Sequence, residues 1–227
     1  MKYLLLLALL LPMICTCIGQ DQYTCPTGEI FYTYSIPDGW NVIGIGCCGL
    51  VASDSANPAR GIIALNHLHG IGDLPAYTTP ESYMENYMPG EFSKGENKVT
   101  NMRVLYDEDN QDLAQAFSSY VGFMSAGKSM RCSFEVNGIP AEGSFTVVTN
   151  ELAGYGTTIP FIAGIYAPAD QFDSEISMLL DMCKSIQLIP NYRNLCLPSP
   201  PCPSWQYKCN DMCCNWPCKE GNMCYPK

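Results

Sequence analysis

The dipeptide Asn137-Gly138 constrains the geometry of this chain more than any other feature in it. It separates RCSFEV from IPAEGSFTVV (residues 131–148), two runs in which apolar and polar residues largely alternate. The hairpin turn whose twist matches paired strands needs positive φ at both central positions. Asparagine followed by glycine meets that need at small steric cost. The dipeptide therefore predicts two antiparallel strands within residues 130–149 and pins their register. Alternation places Cys132, Phe134 and Val136 on one strand face.

Around this hairpin the chain reads as further strands and a few helices. Residues 28–37 (GEIFYTYSIP) are rich in aromatic and β-branched side chains and predict a strand. Pro37-Asp38-Gly39 then marks a turn before Trp40. Residues 40–45 and 60–69 predict two more strands, the second buried near its start. Thr79-Pro80-Glu81 opens a helix with a hydroxyl cap, a proline at the first position and an acid beside the positive end of the dipole. That helix is expected to stop near Tyr87, before Pro89-Gly90. Residues 99–106 and 158–167 predict strands, and residues 112–119 a short helix or turn. In the last predicted helix, residues 169–186, Phe172, Ile176, Leu179, Cys183 and Ile186 form one apolar stripe, with Asp170 as cap and Lys184 at the end. Cys183 then faces the sheet. Hairpins in place of regular strand–helix alternation give an α+β fold, an antiparallel or mixed sheet with helices packed on it.

Three stretches resemble PsbP/Mog1-like domains: YSIPDGW at 34–40, TPESYMENYM at 79–88 and IYAPADQFDSEISMLLDMCKSIQL at 165–188. The resemblance covers about residues 28–189. It implies an α/β/α sandwich and a role in binding partner proteins, with no shared catalytic set. Cys47-Cys48 and the cysteine-rich C-terminal segment depart from that pattern.

The ends of the chain bear on its destination. MKYLLLLALLLPMICTCIGQ has a basic start, an apolar run over residues 3–14, and small residues at Cys17 and Gly19 before Gln20. This is the layout of a secretory signal over residues 1–19, too short for an ordinary membrane span. Cys15 and Cys17 also raise lipid anchoring, but neither follows the small residue such processing uses, so secretion or residence in the cell envelope is the preferred reading. The formal net charge is −10. From residue 190 onward Arg193, Lys208, Lys219 and Lys227 outnumber Asp211 and Glu220, so the acidic excess belongs to the body. A phosphate backbone is repelled by such a body, and no nucleic-acid partner is expected. No second apolar run of membrane length follows the signal.

Of 14 cysteines, twelve remain beyond the signal. Cys25, Cys47, Cys48, Cys132 and Cys183 lie in the body. Cys196, Cys202, Cys209, Cys213, Cys214, Cys218 and Cys224 follow it. An even number in an exported chain predicts a disulfide framework. Both groups are odd, so full pairing within one molecule requires at least one bridge from tail to body. The resulting organisation is a body at residues 20–189, a stiff proline-rich connector at 190–203 and a disulfide-rich tail at 202–227. The order of the last six cysteines resembles cystine-knot miniproteins, which would imply Cys202–Cys214, Cys209–Cys218 and Cys213–Cys224. The residues alone leave 15 pairings open.

Candidate chemistry is sparse. His67 and His69, the two histidines of the chain, share a face if the strand is regular and are weak candidates for a copper or zinc ion. DEDNQD at 107–112 lacks the glycine and the acidic twelfth ligand of a calcium loop and is read as a solvated acidic turn that caps the next helix. No Gly-x-Ser-x-Gly elbow or Cys-x-x-Cys pair occurs, and the directly adjacent Cys-x₃-Cys pairs of the tail leave no room to fold around zinc. No cofactor and no catalytic residue is expected. Trp205, Tyr207 and Trp216 either pack on the body or form an exposed surface for protein or carbohydrate. The leading expectation is a non-catalytic secreted or cell-surface protein acting through protein contacts. The alternatives are a toxin or inhibitor acting through a knotted tail, and a metal- or thiol-handling extracellular protein.

Overall fold

The computed structural model describes residues 21–24, 30–44, 49–93, 97–117, 123–152, 156–188, 207–209 and 212–214. Numbered in chain order, seven strands form the central sheet: β3 (Trp40–Gly44), β4 (Gly49–Asp54), β5 (Gly61–Leu74), β9 (Gly156–Pro168), β8 (Ile139–Leu152), β7 (Phe123–Val136) and β6 (Val99–Asp109), from one edge to the other. Every neighbouring pair is antiparallel, which decides between the antiparallel and mixed alternatives. β1 (Asp21–Thr24), β2 (Ile30–Tyr34) and β10 (Gln187–Leu188) make a second, three-stranded sheet. β11 (Tyr207–Cys209) and β12 (Met212–Cys214) form a short hairpin within the cysteine-rich segment.

The Asn137-Gly138 turn is where the sequence puts it, with φ of 53° and 82°, and its strands pair without interruption from Val136↔Ile139 to Phe123↔Leu152. The hairpin is longer than its alternation announces. Its even-numbered β7 residues Met130, Cys132, Phe134 and Val136 all enter one core.

That core lies between the sheet and two helices that carry the chain from β5 to the far edge strand β6. α1 (Pro80–Asn86) begins as expected: the Thr79 hydroxyl accepts the Ser82 amide at 3.2 Å, and Pro80 opens the first turn. Tyr83 and Met84 are fully buried on its inner side. Pro89-Gly90 does not end the helical path. After Tyr87 a second short helix, α2 (Met88–Phe92), starts, with Pro89 in its first turn, where a missing amide hydrogen costs nothing. Phe92 then meets Phe134, Phe145 and Tyr166 at ring separations of 5.9–6.5 Å. Phe145 lies over Gly164, where a β-carbon would come within 2.2 Å of its ring.

The opposite face carries α4 (Phe172–Ser185), whose Phe172, Ile176, Leu179, Cys183 and Ile186 pack with Leu50, Ile62 and Ile165 as the stripe predicts. Burying Phe172 and Leu179 contributes about 1.5–3 kcal/mol each. Ile36 and Trp40, on either side of the Pro37-Asp38-Gly39 turn, join the same core. Asp170 is not the helix cap. Residues 169–171 form a turn in which the Gln171 amide donates to Pro168 O, and Asp173 and Glu175 supply the negative charge of the first turn. Arg60 fastens α4 to the sheet, bonding Glu175 through two nitrogens, Asp54 at 2.9 Å and Gln171 at 3.1 Å. Arg131 does the same through Glu142 and Asp173 and lies 4.9 Å over the Phe172 ring. Helices on both faces of one sheet are the α/β/α arrangement that the resemblance implies.

Two local expectations change. The acidic run does not turn: Asp107, Glu108 and Asp109 continue β6, and Asn110 is the residue that turns the chain and caps α3 (Gln111–Phe117) through its side-chain oxygen. β4 was not legible because its apolar run, Leu50-Val51-Ala52, is only three residues long.

Candidate functional site

β5 ends at Leu74, opposite Thr157, and the chain reaches the Thr79 cap of α1 through a four-residue turn. Tyr77 occupies this turn with φ of 63°, a left-handed conformation that a bulky side chain avoids. Four hydrogen bonds hold it there. The Tyr77 amide donates to Glu151 Oε2 at 2.9 Å, and the Thr157 hydroxyl donates to the same oxygen at 2.6 Å. The Thr78 amide donates to Thr157 Oγ1 at 3.2 Å, and the Thr78 hydroxyl to Pro75 O at 2.7 Å. Glu151 is buried at 7% exposure and its Oε1 accepts no hydrogen bond from the described residues, whereas the Tyr77 ring is 73% exposed. A desolvated carboxylate and a strained backbone are thus both spent on presenting one aromatic ring to solvent.

From that turn α1 runs toward the edge strand β6. Lys128 joins them, with its ammonium 3.1 Å from Glu81, 2.5 Å from Asp107 and 2.9 Å from Asp109. Hydrogen bonds to Asp107, Asp109 and Glu81 raise the lysine above its ordinary range, so it stays charged. Three carboxylates on one ammonium leave the cluster negative. Glu85 of α1 reaches the same strand and accepts the Val104 amide at 3.0 Å.

β6 carries two irregularities against β7. One lies between Thr100 and Arg103, where Asn101 has φ of 56°, and the other between Val104 and Tyr106. At the second, Leu105 is the extra residue. A bulge re-aims the side chains around it, and here consecutive residues Leu105 and Tyr106 are both exposed, at 53% and 61%. Asp107, Glu108 and Asp109 follow, also exposed. Where this strand enters α3, a cleft of about 530 Å³ is lined by Glu108, Asp109, Asn110, Gln111, Asp112 and Ser129. The α1 side, from Tyr77 along the helix to Asp107 and Asp109, is therefore acidic, aromatic at the Tyr77 end and braced from beneath. Tyr106 instead pairs with Arg131, whose side chain reaches Asp173 of α4, and so lies on the other face of the sheet. The chemistry of the α1 side suits adhesion to a cationic partner.

The residues singled out from sequence fare differently. A shared face for His67 and His69 requires unbroken alternation, but β5 slips against β9 between Asn66 and His69, so a two-residue spacing no longer ensures one face. The His67 side chain lies outside the described residues. His69 stands 3.4 Å from the Tyr83 hydroxyl and 3.8 Å from Glu91 Oε1, edge-on to the Tyr83 ring. Burial, with Glu91 adding to it, pushes the Tyr83 hydroxyl up and keeps it protonated. Among the described residues no three His, Cys, Asp or Glu side chains are grouped to hold a metal.

Among the described residues Cys132 and Cys183 pair with no other cysteine. They do not bridge each other: Cys132 belongs to the core under α1 and α2, and Cys183 packs into the core under α4, on opposite faces of the sheet. Burial, with Glu85 adding to it, raises Cys132 to about 12, and burial raises Cys183 as well, which makes both poor nucleophiles. Cys209, Cys213 and Cys214 lie on the backbone of β11 and β12, as does Tyr207. Cys25, Cys47, Cys48, Cys196, Cys202, Cys218 and Cys224, with Trp205 and Trp216, lie outside the described residues, as does the signal-like segment. Among the described residues no helix is long and apolar enough to cross a membrane.

Sequence reasoning missed Tyr77, Glu151 and the Leu105-Tyr106 pair. The last had a signal: two adjacent apolar residues break the alternation of a strand just before an acidic run, the mark of a bulge.

Comparison with known proteins yields no family and no curated relative matched in sequence. Solved structures overlap the chain loosely. The cyanobacterial PsbP (CyanoP) of Synechocystis covers 76% of this chain and 94% of its own at 12% identity and a TM-score of 0.35. LpqN, involved in cell envelope biogenesis of Mycobacterium tuberculosis, covers 76% and 91% at 13% identity and 0.32. The Ran-binding protein Mog1p of Saccharomyces cerevisiae covers 78% and 98% at 11% identity and 0.30. Overlaps of this size carry no inference about partner, location or lineage.

Proposed function

We propose that this chain is a non-catalytic secreted or cell-envelope protein that acts by binding another protein through the surface from Tyr77 along α1 to Asp107. The observation that carries the reading is Tyr77: a large aromatic side chain, left-handed in backbone, 73% exposed and held by a buried carboxylate. Left-handed backbone costs an ordinary residue about 1–2 kcal/mol, and burying a carboxylate with one oxygen unpaired among the described residues adds to that cost. Such expenditure at an exposed position supports a contact residue, because exposed aromatics anchor protein interfaces. The secretory layout of residues 1–19 and the abundant cysteines support the location. Five cysteines of the body face seven beyond it, both odd numbers, so complete pairing within one molecule would need a disulfide from tail to body. We keep that proposal, with the tail as a cap bearing Trp205, Tyr207 and Trp216.

The test replaces Tyr77 by the photo-reactive p-benzoylphenylalanine in the producing cell, with Met178 of α4, also exposed, as the control position. A discrete cross-linked protein from position 77 and none from position 178 is expected. Equal products from both positions, or none from 77, refute the reading.

A further inference from the structure

We infer that the outer edge of β6, over residues 105–109, binds an extended, lysine- or arginine-rich segment of the partner protein by strand addition. This rests on the partner-binding reading above and names the partner's chemistry. β6 ends the central sheet, and among the described residues no strand pairs with its outer side. Residues 105–109 are exposed one after another, so the strand is open on its edge and on both faces there. Its pairing with β7 is regular from Tyr106↔Arg131 to Asp109↔Lys128, which keeps the backbone extended past the bulge. Before that point the Val104 amide is already taken by Glu85, so the available edge begins at Leu105.

An open edge is a template for any strand, and charge decides which one. Asp107, Glu108 and Asp109 stand in a row, and Glu108 has no ion pair among the described residues. A second copy of β6 would set acid against acid, which disfavours self-pairing. A basic strand meets complementary charge on both sides, from Glu108 on one face and from Asp107 and Asp109 on the other.

The probe is the blocked heptapeptide acetyl-Lys-Val-Lys-Val-Lys-Val-Lys-amide, titrated against the full chain. Its control carries N-methyl groups on the valines, which preserve charge and remove edge hydrogen bonds. Saturable binding of the first peptide is expected, with slowed amide exchange confined to residues 105–109. The N-methylated control and the Glu108→Lys variant should each weaken it about tenfold. Equal binding of the N-methylated peptide shows mere electrostatic adhesion and overturns strand addition, as does an unaltered affinity in Glu108→Lys or no binding at all. A chain that cross-links from position 77 yet ignores the peptide keeps the partner-binding reading and loses this one. Peptide binding at the edge without cross-linking at 77 does the reverse.

Discussion

Replacing Glu151 by alanine tests whether the turn that presents Tyr77 is braced from inside. The carboxylate accepts two hydrogen bonds on one oxygen, from the Tyr77 amide at 2.9 Å and the Thr157 hydroxyl at 2.6 Å. Hydrogen bonds to a charged group contribute about 1.5–3 kcal/mol each. Part of that sum is returned, because the variant no longer buries a carboxylate whose Oε1 has no partner among the described residues. The net expectation is a loss of about 3 kcal/mol. In urea, with a slope of about 2 kcal/mol per molar, the midpoint should fall by about 1.5 M. Glu151→Gln retains an oxygen for both donors and should lose only about 1 kcal/mol. A Glu151→Ala, Thr157→Val double-mutant cycle should show coupling, since Thr157 donates to the removed oxygen. A midpoint for Glu151→Ala within about 0.3 M of the parent would refute the brace, as would equal losses for alanine and glutamine.

Further outcomes follow from the two cores and their links. Gly164→Ala drives a β-carbon to within 2.2 Å of the buried Phe145 ring and should cost about 1–3 kcal/mol, read as a lower thermal midpoint. Alkylation of the unreduced, denatured chain followed by peptide mapping should label Cys132 and Cys183, and the native chain at neutral pH should spare Cys132. Because Cys132 is raised from 9.0 to about 12 on folding, its contribution is complete below about pH 9. It is lost as pH climbs toward 12, so the parent should lose stability relative to Cys132→Ala over that window. Arg60→Ala should cost about 2 kcal/mol after allowance for solvent around a side chain 23% exposed, and lysine should restore less than half because it cannot bond Glu175 through two nitrogens.

The elements that the sequence announced are those in which local chemistry and tertiary packing agree. Asn137-Gly138 folds as the hairpin its backbone needs require, and Thr79-Pro80 caps α1 with the expected hydroxyl bond. The α4 stripe buries as its period demands. The failures have one cause, long-range context overriding a local signal. α1 ends near Tyr87 as expected, but nothing local announced α2, where Pro89 sits in the first turn and is tolerated. The row of acids at 107–109 looked like a turn because solvation was the only local cue, whereas pairing with residues 128–130 keeps it in the sheet. His67 and His69 seemed aligned until a bulge in β5 removed the premise. The cysteine count predicts a disulfide framework, but Cys132 and Cys183 are divided by the sheet and do not bridge each other, and no count can see a sheet. The candidate surface was the least legible part. Tyr77 owes its position to Glu151, 74 residues away, and such a contact leaves no periodicity.

If the surface from Tyr77 along α1 to Asp107 holds a partner protein, photo-cross-linking from three positions in separate chains, Tyr77, Asn86 of α1 and Met178 of α4, shows it. Positions 77 and 86 should capture the same protein, identified by mass spectrometry, and position 178 should capture none. Different proteins from 77 and 86, or the same product from all three, would refute a shared binding face.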